Sequence, residues 1–336
     1  MARKAPGRSR QGLRHISGFA TAAAGNAAGR VLSSGRAIPA GQRAAKLASA
    51  LQIRLTCASG GGNSERVTVG PQDLRQALRD AGIENRPVCL HSSLKSHGRV
   101  EGGAATVVDA FLDADTTLVV PTFGGSRYAV TAPPDLRPPR NGISYDGWTD
   151  QGGRPVDHAA ADNYTLMGAI PAEVLTRPGR QRGNHPLNSF AAIGPGAAEL
   201  IRGQTPADVY APLAALAGQG GLVVLAGVGL TSMTLLHYAE QVAGRVLLRR
   251  WALAGGKVVM VAVGGCSDGF ERFAGALGPT ETTATVGRSH WRIFPAAAIV
   301  DIAAAVIRRD PDSTRCARAY CGQCADKALG GPLLEG

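Results

Sequence analysis

A chain of 336 residues with 44% apolar content is long enough to bury one large core or two small ones, and its 45 glycines and 20 prolines suit a turn-rich mixed α/β protein better than a helical bundle. The net charge of +11 belongs to one end, because residues 1–60 hold ten Arg and Lys and no acid, leaving 26 of the 36 basic residues against 25 acidic ones elsewhere. That near-neutral body argues against a dedicated nucleic-acid binder, and with no apolar run of about 18 residues there is no candidate membrane-spanning helix.

Residues 1–62 are rich in Arg, Ala, Ser and Gly. Their composition fits a basic, disordered low-complexity extension, with a transit peptide or an over-long start as the alternatives. No apolar h-region of the kind that directs secretion occurs there, and the six cysteines (Cys57, Cys89, Cys266, Cys316, Cys321 and Cys324) are too few and too unevenly spread for a secreted disulfide scaffold, so a reducing cytoplasm is the expected location. Pro71–Ala81 then places Leu74, Ala77 and Leu78 at helical spacing. Arg86–His91 reads as a buried strand, Gly102–Asp113 as a helix carrying Val107, Val108 and Phe111, and Thr116–Pro121 as a second strand. Strand, glycine turn, helix and strand in that order make a βαβ unit with a parallel pair.

Residues 124–162 are Pro-, Gly- and polar-rich without periodicity, which predicts a binding loop or lid. A helix at Met167–Thr176, a strand at Ser189–Ile193 and a strand at Leu222–Ala226 follow. The last of these runs through Gly227-Val-Gly229 into a helix over Ser232–Val242. Gly255-Gly256 predicts a hairpin between Arg245–Leu253 and Lys257–Val263, and Ala297–Arg308 a final helix. The expected fold is α/β, with a three-layer, mixed and partly parallel sheet, helices on both faces, and one catalytic domain over 63–310. A cysteine-containing tail at 311–336 completes the chain.

Four segments carry chemistry. His91-Ser-Ser-Leu94 with Val100-Glu-Gly-Gly103 sets hydroxyls and glycines between a strand end and a helix N-terminus, where unsatisfied N–H groups favour an anion; a tight turn with a serine cap is the bland alternative. His185 precedes Pro186, which holds it extended, on a loop facing solvent or a cleft. His237 and Glu240 share a helix face at i and i+3, a spacing suited to a carboxylate-tuned general base or to a satisfied structural histidine. Cys316-x4-Cys321-x2-Cys324 offers three thiolates that hold zinc only if a fourth ligand comes from elsewhere, His290 being a distant candidate. With three ligands in hand, a reducible disulfide or free thiols on a flexible tail is the expectation, and no metal is expected.

In order and spacing these segments resemble the antibiotic N-acetyltransferase family, whose type members acetylate the 3-amino group of 2-deoxystreptamine aminoglycosides. The resemblance rests on His91-Ser-Ser-Leu94, Gly102-Gly-Ala104, Pro121-Thr-Phe123, Met167-Gly-Ala-Ile-Pro171, His185-Pro186, Ala191-Ala-Ile-Gly194, Ala211-Pro-Leu213, Ala226-Gly-Val-Gly229 and Ser232 through Glu240. It implies acyl transfer from acetyl-coenzyme A to an amine in a ternary complex, with coenzyme A as product. On it, His91, Ser92, Ser93, Leu94, Val100, Gly102 and Gly103 map onto the coenzyme A-binding turn, with Thr122 near it. His237 maps onto the catalytic base with Glu240 beside it, and His185 borders the cleft. Leu230-Thr231 stand where aminoglycoside-modifying members often carry His-Asp, which opens the alternative of a non-aminoglycoside biosynthetic amine. A small-molecule amine is the expected partner of a monomer or homodimer, without nucleic acid or membrane. A non-enzymatic thiol- or zinc-binding module is the reading from another class.

Overall fold

The computed structural model describes residues 67–146, 153 and 165–334. The basic segment 1–62 lies outside them, as does much of the second half of the long polar loop. Chain order runs β1 (Thr68–Val69), α1 (Pro71–Asp80), β2 (Val88–Ser92), β3 (Arg99–Val100), α2 (Ala104–Asp113), β4 (Leu118–Pro121), α3 (Ala169–Thr176), β5 (Gln181–Arg182), β6 (Phe190–Ile193) and α4 (Ala197–Ile201). It continues through α5 (Ala211–Gly218), β7 (Leu222–Ala226), α6 (Leu235–Val242), β8 (Leu248–Ala254), β9 (Lys257–Val263), α7 (Ala274–Leu277), β10 (Thr282–Val286), β11 (Ser289–Pro295), α8 (Ala296–Arg309) and α9 (Gly322–Ala328).

Seven strands form one sheet in the order β10-β11-β7-β2-β4-β6-β5. Its centre is parallel, with Val88 paired to both Leu118 and Leu222, while β6 and β11 join antiparallel on either side. The central strands β2, β4, β6 and β7 are mostly apolar and buried because both faces are covered, and alternate residues divide between two cores. Cys89, Val119, Val223 and Leu225 face α4–α8, whereas Val88, Leu90, Leu118 and Val224 face α1, α2 and α3. Three layers result, as the residue pattern led us to expect.

Helix α2 shows how the pattern works. Val107, Val108 and Phe111 are buried at helical spacing, and each such side chain contributes roughly 1.5–3 kcal/mol when removed from water. Helix α8 buries Ile299, Val300, Ala303, Ala304 and Ile307 on one stripe, and its small alanines let it lie close to α6. The β8–β9 hairpin turns at Gly255-Gly256, both with positive φ (56° and 74°), which side chains resist.

Three expectations are corrected. The predicted helix over Ser232–Val242 starts later, at Leu235, after a 3₁₀ turn at Leu230–Ser232. Helix α8 is not the last, since α9 follows it. The segment after Arg309 is not a loose tail either: Thr314, Cys316, Cys324 and Lys327 are all buried. Arg140 bonds the Gly331 carbonyl at 2.7 Å and Gly142 donates to Asp326, which ties this segment to the start of the polar loop. That part of the loop is itself folded, with Tyr128, Val130 and Ala132 packed on the β8–β9 hairpin.

Candidate active site

Strands β2, β4 and β7 end on the same edge of the sheet, with Ser92 registered against Ala226. Open α/β sheets gather ligands at such carboxyl ends. From β7 the chain enters α6 through two glycines that are needed for different reasons. Gly227 has φ +70° and lies so close to Ser96 that a Cβ would overlap its hydroxyl. Gly229 is extended, but a Cβ there would strike the Glu271 carboxylate. One glycine supplies conformation and the other supplies space.

Helix α6 then presents His237 and Glu240 side by side. His237 Nδ1 stands 2.7 Å from Glu240 Oε2, with Glu240 only 1% exposed. The other carboxylate oxygen takes Arg245 at 2.7 Å and Lys327 at 2.9 Å. Arg245 also donates to Thr314 Oγ1 at 2.8 Å, and Lys327 to the Cys266 carbonyl at 2.7 Å. Burial alone would push the Glu240 carboxyl up, but the Lys327 charge and the His237 hydrogen bond outweigh it and hold the group down at about 2.

Burial pushes the His237 imidazole down from its usual value, and Lys327 and Arg245 add to that against the pull of Glu240. The ring is therefore neutral near pH 7. A carboxylate accepts from Nδ1–H, so the lone pair lies on Nε2, the form a proton acceptor requires. Tyr210 stacks at 6.2 Å from the imidazole and Phe270 tilts against it at 4.7 Å. Gly264 closes the cage: a Cβ there would lie 2.7 Å from His237 Cδ2 and 2.5 Å from the Tyr210 hydroxyl.

His185 sits elsewhere and does something else. It is fully buried; its Nδ1 accepts the backbone N–H groups of Leu187 and Asn188, at 3.3 and 2.9 Å. That fixes the proton on Nε2, which donates to the Ala262 carbonyl at 2.7 Å. Both nitrogens are thus engaged, and His185 pins its loop to β9 instead of lining a cleft as a proton acceptor. The burial of His185 was not legible in sequence.

The residues read as a cofactor turn stay together. His91 is buried on β2, with Nε2 3.6 Å from Cys89 Sγ, and burial pushes it down to about 4. Ser92 ends the strand, and Ser93 and Leu94 lead into a 3₁₀ turn over Leu94–His97. Gly102 and Gly103 carry φ of 68° and 67° and open α2, whose N-terminus has no side-chain cap. Val100 reaches the turn through the β1–β3 pair. Thr122 follows β4 and is fully buried, its hydroxyl bonded to the Ser189 carbonyl at 2.9 Å, so it shapes the floor more than it offers a free donor. The uncapped helix start, the two left-handed glycines and the exposed Lys95 and Arg99 suit the phosphates of a nucleotide carrier.

Sequence reading missed Tyr210, Arg245, Gly264, Phe270 and Lys327, which surround the pair, and His97, which braces the turn. His97 Nε2 accepts the Trp291 indole N–H at 3.0 Å, and Ser96 bonds Ser289 at 2.7 Å. Only a H-x-x-E spacing was local enough to detect. A separate cleft of about 630 Å3 beside Arg182, Asn184 and Arg202 contains none of the predicted site residues.

Comparison with known proteins identifies the family. Residues 89–308 match the family model described as aminoglycoside 3-N-acetyltransferase. Aminoglycoside N(3)-acetyltransferase III of Serratia marcescens is 35% identical over 173 residues, covering 48% of this chain and 61% of the relative. The type IX enzyme of Micromonospora chalcea is 35% identical over 185 residues, covering 51% and 61%. The chain thus spans about three fifths of the length of these relatives. Among solved structures, aminoglycoside acetyltransferase AAC(3)-IIb aligns with a TM-score of 0.60 at 26% identity, over 73% of this chain and 98% of the other. Sisomicin-bound AAC-VIa aligns at 0.57 and 26%, over 71% and 98%.

Proposed function

The chain belongs to the aminoglycoside 3-N-acetyltransferase family, and on that premise we propose that it transfers an acetyl group from acetyl-coenzyme A to an amine of an aminoglycoside or related amino sugar. The observation that carries the reading is the buried His237–Glu240 pair at 2.7 Å, with its proton held on the carboxylate side. Acetyl-coenzyme A supplies the acyl group as a thioester, and both substrates are present together in a ternary complex.

His237 Nε2 takes a proton from the acceptor ammonium, so that the amine lone pair can attack the carbonyl carbon. Glu240 fixes the imidazole tautomer and offsets the imidazolium charge as it forms. The half-buried Ser92 and Ser93 and the N–H groups opening α2 are the donors for the oxygen that becomes negative. The same turn, with Gly102 and Gly103, holds the pantetheine or phosphates, and Lys95 and Arg99 supply positive charge.

The acceptor class is supported by the sisomicin-bound relative. Leu230 is wholly buried and offers a polycation nothing, but the exposed Glu271 carboxylate lies over Gly229 at the mouth of α6 and provides the negative charge such a substrate needs. The test is a coenzyme A-release assay against an aminoglycoside panel, simple amino sugars and amino acids. Turnover with deoxystreptamine aminoglycosides supports the reading. Turnover only with other amines would move the acceptor to a biosynthetic intermediate, and thioester loss without any amine would make the protein a hydrolase.

A further inference from the structure

We infer that Cys266, Cys316, Cys321 and Cys324 form a structural zinc site that locks the C-terminal segment onto the catalytic pair. The sequence offered three thiols and no metal was expected; the fold brings the fourth from the loop after β9. All four sulfur atoms lie within 4.8 Å of one another, and all four cysteines are free thiols. Zinc held by four thiolates at about 2.3 Å sets sulfurs about 3.8 Å apart, so one ion fits among them with little movement. A cluster of several irons holds its cysteines farther apart, and two disulfides would draw the sulfurs into separate pairs.

The local chain is built for a ligand set. Cys321 and Cys324 have the C-x2-C spacing of structural zinc sites and lie at the start of α9. Cys316 and Cys324 are buried while Cys266 and Cys321 are half-buried, which leaves a path for entry. The Cys316 N–H points at Cys324 Sγ at 3.5 Å, and the Arg318 guanidinium at Cys266 Sγ at 4.0 Å, donors of the kind that steady metal-bound thiolates. His290, the ligand entertained from sequence, lies on β11 and is no member of the group.

Position gives the site its purpose. Cys266 follows Gly264, which closes the cage on His237. Cys324 precedes Lys327 on α9, and Lys327 joins the Cys266 carbonyl to Glu240. Thr314, which receives Arg245, comes just before Cys316. A metal at the four sulfurs fixes both sides of the array with a short cross-link. The zinc inference rests on the thiols alone and stands or falls apart from the acyltransfer reading.

The experiment is elemental analysis of the full chain, purified under reducing conditions without chelator. About one zinc per chain is expected, retained in Cys57→Ser and lost in Cys324→Ser. Should Cys324→Ser fail to fold, the wild-type protein stripped with chelator and titrated with cobalt should give the thiolate-to-cobalt charge-transfer and visible bands of a tetrahedral four-sulfur site. Its melting temperature should fall on stripping and recover with zinc. Metal-free protein that gives no cobalt bands, iron in place of zinc, or thiol titration that finds disulfides would each overturn the inference.

Discussion

Lys327 Nζ stands 2.9 Å from Glu240 Oε1, so the last helix of the chain supplies a charge to the imidazole–carboxylate pair of α6. That charge works against protonation of His237. Lys327→Met should therefore raise the His237 pKa. The acid limb of the kcat/KM profile should move to higher pH, since His237 must be neutral to act. In the wild type the same limb should lie below the ordinary histidine value of about 6.5. An acid limb that stays in place in the variant would mean that the pair does not govern the profile.

Removal of the proposed base is the sharper test. His237→Ala should cut turnover by about 10²–10⁴-fold, with coenzyme A affinity close to wild type in calorimetry. Glu240→Gln should lose less, because the amide oxygen can still accept from Nδ1–H while the compensating charge is gone. His185→Ala should act on stability instead, lowering the melting temperature as the Ala262 anchor is lost and leaving a residual kcat far above that of His237→Ala. Near-wild-type turnover in His237→Ala would sink the assignment.

Gly264→Ala adds one methyl group where Tyr210 and His237 already meet. Overpacking of this kind costs about 1–3 kcal/mol, and here the imidazole is among the groups that must yield. Turnover should drop well beyond what the modest fall in melting temperature accounts for. Full activity would place the working conformation of His237 elsewhere.

Gly103→Val tests the cofactor turn. No atom lies within 4 Å of the added Cβ, so any effect must come from the φ of +67° that valine resists and from the approach of a ligand to the backbone. The variant should remain folded and bind coenzyme A more weakly, as read by calorimetry. Unchanged affinity in folded protein would put the nucleotide site on another edge.

Acid should destabilise the fold. Burial pushes His91 down to about 4 and also lowers His97 and His237, each below its unfolded value. The unfolded chain then binds more protons below pH 6.5, and stability is lost as pH falls from there toward the folded values. Each lagging group contributes about 1.4 kcal/mol per pH unit. The melting temperature should fall over pH 6.5 to 4, and less steeply in His91→Gln, which cannot titrate. A matching slope in the two proteins would remove His91 from the account.

Local pattern made the layers of the sheet legible, together with the part of the candidate site that lies on α6. Runs such as Leu222–Ala226 are apolar at every position, and Val107, Val108 and Phe111 repeat at helical spacing, so strand and helix were written in local periodicity. His237 and Glu240 were legible together because a helix turns i and i+3 onto one face. The antiparallel flanks β10 and β11 were not foreseen, since Ser289–Pro295 is a strand by virtue of pairing with β7, and Thr282–Val286 by pairing with β11, more than by their own pattern. Tertiary structure alone decided the fate of His185, whose burial depends on a carbonyl of β9 far along the chain. It alone brought Cys266 to the three later cysteines and Lys327 to Glu240. Charges and thiols far apart in sequence carry no shared periodicity, and only the folded backbone sets the few ångströms over which they act.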